Sequence, residues 1–172
     1  TDLINKNRLM PLSITTLIGI NICHALIFAH RKNDANGQPL GIVHRDVSPR
    51  NILISFGGEV KLADFGVAKA TTKIHLTKPG SLKGQVPYMS PQQALGEPID
   101  HRSDVYSLGL VLFEMATGRK YYSAENEMTL LDKVREGKII APSKVNAEIP
   151  GEYENIILRC LQFNPDDRYQ DA

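Results

Sequence analysis

The fold class that this 172-residue sequence predicts is mainly α, α+β overall: a helical bundle with one small β-hairpin. Two observations carry that expectation. Apolar residues recur at helical spacing through Ile14, Leu17, Ile18, Ile22, Ala25, Leu26 and Ala29, again through Val105, Leu108, Leu112 and Met115, and again through Tyr153, Ile156, Ile157, Cys160 and Leu161. Two short β-type runs, 52–55 and 59–62, flank Gly57-Gly58, a pair suited to a tight turn.

The elements follow in order. The opening begins at Thr1 rather than Met and passes into a short amphipathic stretch with Leu3, Ile4, Leu9 and Met10, which reads as a cut end. Ser13 is placed to cap a helix over 13–32 whose wide apolar stripe predicts a buried central helix, with His24 and His30 as packed or helix-end imidazoles rather than metal ligands. Residues 33–40, with Asn36-Gly37 and Pro39, predict a surface turn. After the hairpin, 67–93 carries Pro79, Gly80, Gly84, Pro87 and Pro91 without periodicity and predicts a long loop. Ser103 is placed to cap a further helix that Gly118 ends, and two more are expected over 127–136 and 152–163.

Composition narrows the function. Lys+Arg at 20 and Asp+Glu at 19 are interspersed, so nothing supports sequence-independent binding to a nucleic-acid backbone. Cys23 and Cys160 have no paired spacing and are expected to be free, buried thiols. The apolar runs are broken by Asn21, His24 and Glu114, which predicts no membrane contact by this segment, and a cytoplasmic setting follows as the expectation.

The chemistry concentrates in 42–66. Asp46 follows His44 and Arg45, Asn51 comes five residues after Asp46, and Asp64 opens Asp64-Phe65-Gly66 beyond the hairpin. A hairpin between Asn51 and Asp64 returns the carboxylate to the carboxamide, so both can share a hard cation such as Mg²⁺, which takes oxygen ligands and keeps phosphate oxygens in its shell.

His44-Arg45-Asp46 with Asn51, followed by Asp64-Phe65-Gly66, resembles the catalytic loop and metal-binding segment of protein kinases, and the likeness covers nearly the whole chain. The resemblance implies the large, C-terminal lobe of a serine/threonine kinase of the eukaryotic-like bacterial type, spanning 1–172. It implies that Asp46 accepts the proton of a protein hydroxyl, that Asn51 and Asp64 hold Mg²⁺ or Mn²⁺ with ATP, and that His44, Phe65, Gly66, Asp104, Gln92 and Arg168 support the site. The segment after Gly66 would position substrate, with Thr71, Thr72, Thr77 and Ser81 as hydroxyls for phosphorylation and Arg45 as the cation that could pair with the phosphate.

Three positions depart from the family pattern. Ser48 stands where many such kinases carry a Lys that meets the transferring phosphate, which leaves Arg50 or Lys83 as substitute donors. Gln85 stands where a Thr is common, and Gln92 replaces a Glu expected to pair with Arg168. The Gly-rich loop and strand Lys of the small lobe are not in the sequence, so the expectation is a fragment that is inactive alone and open to self-association through the face the small lobe would cover. The competing reading is a pseudokinase or noncatalytic interaction module, which Ser48, Gln85 and Gln92 favour and the trio Asp46, Asn51 and Asp64 disfavours.

Overall fold

A computed structural model describes residues 9–65 and 85–172, in which α1 (Leu12–His30), β1 (Ile52–Ile54), β2 (Val60–Leu62), α2 (Pro91–Leu95), α3 (Arg102–Thr117), α4 (Glu127–Glu136) and α5 (Gly151–Cys160) follow in order. The central helix is α3, buried from Ser103 to Thr117. Both α1 and α5 pack against it, β2 lies on α1, and α2 meets α4. Leu26, Leu110, Val111, Ile157 and Leu161 have no exposed surface, and each such side chain contributes roughly 1.5–3 kcal/mol of burial. Gly109 sets the α3–α5 approach: a Cβ there would lie 2.7 Å from Cys160 Cβ. The described fold is mostly helical with one two-stranded antiparallel sheet.

Several expectations need correction. α1 is not the buried centre: Thr15, Ile18, Gly19, Ile22, Leu26 and Ala29 face inward, while Ile14, Leu17, Ile20 and Phe28 are exposed. A helix apolar on both faces gives no periodic signal for which face packs. It starts one residue before Ser13, with Pro11 O accepting from Ile14 N and Thr15 N. With 19 residues and a mean hydropathy of 1.9 over an 18-residue window, α1 is long and apolar enough to cross a membrane, contrary to the reading from its polar interruptions. Its inner face is nevertheless packed on α3 and β2.

Ser103 lies inside α3 rather than at its cap. Asp100 Oδ1 takes Arg102 N at 2.8 Å instead, and Gly118 ends the helix at φ 68°. The last residues of the expected loop, 91–93, are helical and open α2, because Ser90 and Gln93 form a capping box. α5 stops at Cys160 and leaves Ile156 exposed, and Cys23 is half-buried rather than buried. The 33–40 turn is on the surface, closed by an Asn33–Pro39 bridge and by Asp34 Oδ1 accepting from Asn36 N and Gln38 N. Leu3, Ile4 and the stretch from Gly66 to Gly84 lie outside the described residues.

Candidate active site

Residues 44–51 form a turn held from several sides. Val47 is fully buried and anchors it, and Pro49 opens a 3₁₀ turn, Pro49–Asn51, in which Asn51 N donates to Ser48 O at 3.0 Å. Arg45 sits at φ 68°, a left-handed conformation that costs a residue with a Cβ about 1–2 kcal/mol. Both its backbone polar groups are held by side chains. Arg45 N donates to Asp104 Oδ1 at 2.8 Å, and Arg45 O accepts from Gln93 Nε2 at 3.0 Å.

Asp104, in the first turn of α3, has no exposed surface. Its Oδ2 accepts from His44 N at 2.7 Å and meets His30 Nε2 at 2.8 Å, so three hydrogen bonds accompany burial of the carboxylate. His30 ends α1 and thereby ties that helix to the turn, a role its sequence position did not signal. His44 is also fully buried. Its Nδ1 accepts from Asp46 N at 3.3 Å, which places the ring proton on Nε2, 3.0 Å from Ala63 O. The Phe65 ring lies 4.5 Å from the His44 ring, so the turn and the segment after β2 are joined.

The hairpin pairs Ile52 with Leu62, Leu53 with Lys61 and Ile54 with Val60. Beyond the last pair, Ala63 N donates to Asn51 O at 2.8 Å, so Asp64 emerges beside Asn51. Asp64 is exposed and, like Arg45, left-handed, at φ 59°. Asn51 Nδ2 donates to Asp46 O at 2.7 Å, which leaves its side-chain oxygen as the atom for a cation. One carboxamide oxygen and one exposed carboxylate are the hard donors that Mg²⁺ takes when substrate phosphates complete its shell, so these residues fit such an ion.

Asp46 Oδ2 accepts from Gln85 Nε2 at 2.7 Å, and Arg50 reaches within 4.0 Å of Oδ1. The structure thus gathers Arg45, Asp46, Arg50, Asn51, Asp64, His44 and Phe65 in one neighbourhood, braced by Asp104. Ser48 does not join the open face: it is fully buried, and its Oγ finds no partner among the described residues. Gly66, Thr71, Thr72, Thr77, Ser81 and Lys83 lie outside the described residues.

Gln92 and Arg168 meet in the interior. Arg168, 1% exposed, donates to Gln92 Oε1 at 2.7 Å and to the carbonyls of Gln162, Phe163 and Arg102, and its guanidinium stacks 4.7 Å from the Tyr106 ring. Burial pulls the guanidinium down to about 10, because the charged form loses its hydration. The cost of that charge is therefore full below pH 10 and is relieved only as pH rises toward the ordinary arginine range. Arg168→Ala is expected to lower stability by roughly 1.5–3 kcal/mol, since Gln92 and three carbonyls lose their donor. Gln92→Glu is expected to raise the thermal midpoint at pH 7 or leave it unchanged, because charge assistance to the Arg168 bond is offset by loss of the Gln92 Nε2 donor to Phe163 O, and any gain is lost as pH falls below the ordinary carboxylate range. Thermal melts of the two variants against pH check both signs.

The fold and this turn-and-hairpin geometry define a class. The chain matches the protein kinase domain model over residues 1–170 and belongs to the protein kinase family. It is 38% identical over 167 residues to the tyrosine-protein kinase MasK of Myxococcus xanthus, covering 97% of this chain and 26% of that protein. It is 41% identical over 153 residues to the serine/threonine-protein kinase PknB of Mycolicibacterium smegmatis, covering 87% and 23%. A probable serine/threonine-protein kinase of Clostridium acetobutylicum is 40% identical over 151 residues, covering 88% and 22%. The expected likeness to eukaryotic-like bacterial kinases stands, and the chain spans about a quarter of the length of these curated relatives.

Proposed function

We propose that the chain is the large lobe of a protein kinase that transfers the γ-phosphate of ATP to a serine or threonine hydroxyl of a protein. Asp46 orients the acceptor hydroxyl and takes its proton, Asn51 and Asp64 hold Mg²⁺ or Mn²⁺, and Arg50 supplies positive charge beside Asp46 in place of the Lys that Ser48 replaces. When bound, the ion offsets negative charge on the phosphate oxygens. The observation that carries this reading is the double use of Asn51. Its side chain grips the Asp46 carbonyl and its backbone grips Ala63, so the proton acceptor and the two ion-binding oxygens are referred to one residue.

A tyrosine acceptor is the second reading, favoured by the likeness to the tyrosine-protein kinase MasK; phosphoamino-acid analysis of the labelled product separates the two. Phosphorylation of Thr71, Thr72, Thr77 or Ser81, read through Arg45, belongs to the same proposal. So does a cytoplasmic location, for the ATP supply. Exposed Leu53, Ile54 and Phe56 on the hairpin support a face that the rest of the protein covers and that self-associates when bare.

The test is Asp64→Asn in the full-length protein, assayed with Mg²⁺ and with Mn²⁺. Transfer is expected to need one of these ions and to fall by about 10²-fold or more in the variant, since the site works by electrostatic stabilisation. Transfer near the wild-type rate would refute the assignment.

A further inference from the structure

Resting on that reading, we propose that Gln85 and Gln93 are positioning residues: two side-chain amides that orient the Asp46 carboxylate and hold the strained Arg45 turn beneath it. Gln85 Nε2 lies 2.7 Å from Asp46 Oδ2, and Gln93 Nε2 lies 3.0 Å from Arg45 O. These are consecutive residues of the turn, held by donors eight residues apart in sequence on one short segment.

That segment is anchored independently of the turn. Val86 is 1% exposed, Tyr88 OH donates to the buried Glu114 carboxylate, and Ser107 Oγ donates to Tyr88 O at 2.7 Å. Burial and the neighbouring Glu114 both push the Tyr88 phenol well above its ordinary range, so the hydroxyl keeps the proton it donates. Gln93 spends its oxygen on Ser90 N at 3.0 Å, closing the capping box of α2, which fixes its amide so that the NH₂ group faces Arg45. A left-handed residue with a Cβ persists where its surroundings over-determine it. Arg45 meets that condition, with its N held by Asp104 and its O by Gln93.

The choice of amides matters chemically. An amide N–H donates to a carboxylate without giving up its proton, so Gln85 fixes the Asp46 rotamer. With Ser48 neutral and buried, this orientation does not depend on a cation two residues after Asp46.

The experiment uses the full-length protein and isosteric substitution. Gln85→Glu keeps the size of the side chain, removes the donor and sets a carboxylate against Asp46. It is expected to lower kcat for protein substrate by about 10- to 100-fold with KM for ATP nearly unchanged, the scale at which misplacement of a reacting group is felt. The thermal midpoint should stay at the wild-type value, and Gln85→Ala should lose no more than Gln85→Glu. Gln93→Glu, which keeps the acceptor for Ser90 N and loses the donor to Arg45 O, should show the same kcat loss. A packing role predicts the reverse order, with Ala harmful and Glu tolerated, and that order overturns the inference. So does a Gln85→Glu kcat within error of wild type while Asp46→Asn is inactive. Full activity of Asp46→Asn would instead overturn the kinase assignment of the turn, and this inference with it.

Discussion

Asp46→Asn is expected to lower phosphoryl transfer to a protein hydroxyl by about 10²–10⁴-fold, the usual contribution of a positioned general base, with the fold unchanged. The structure explains why the fold should survive. The backbone carbonyl of residue 46 still accepts from Asn51 Nδ2, and an Asn side-chain oxygen still accepts from Gln85. What is lost is charge and proton affinity at one carboxylate, while Asn51 and Asp64, the pair proposed to hold the cation, stay intact. The loss should therefore fall on kcat, with KM for ATP retained. Steady-state kinetics at saturating Mg²⁺ read the two apart, and a loss confined to KM would point to a binding role for Asp46 instead.

Asp104→Ala is expected to cost about 3 kcal/mol or more of stability. The substitution strands His44 N and Arg45 N, and a buried donor left without a partner costs roughly 1–3 kcal/mol. It also takes from His30 Nε2 its carboxylate partner at the end of α1. The left-handed Arg45 would then lose the partner of its backbone N–H, so the turn should relax and activity fall together with stability. Asp104→Asn is the graded control: it keeps one carbonyl oxygen and points an amide donor at another donor, so its loss should be intermediate. Chemical denaturation of the three proteins gives the order, and equal stability of Asp104→Ala and wild type would remove Asp104 from the account of the turn.

What was legible in the sequence was local. Gly57-Gly58 between two β-type runs specified the hairpin, and hairpin geometry alone returns Asp64 to Asn51. Gly118 ended its helix as a left-handed cap. The Ser90–Gln93 capping box was also present as an S-x-x-Q pattern, and reading it would have found α2 inside the expected loop. The remainder depended on partners remote in sequence. His30 meets Asp104 across 74 positions, Gln85 meets Asp46 across 39 and Gln93 meets Arg45 across 48. No periodicity encodes such pairs. α1 failed for a different reason: a helix apolar on two faces is silent about which one faces α3, and the pattern of Ile14, Leu17 and Phe28 looks as inward as that of Ile18 and Ile22.

The most direct measurement is transfer of radiolabelled γ-phosphate to protein by the full-length protein, run beside the isolated 172-residue chain. Transfer depends on positioning and on charge stabilisation of the phosphates, and in the proposed reading this chain supplies the acceptor side and the ion-binding oxygens of that machinery. The account predicts metal-dependent labelling by the full-length protein and none by the isolated chain. Robust labelling by the isolated chain would contradict the lobe assignment, and no labelling by either would contradict catalysis and leave a noncatalytic interaction module.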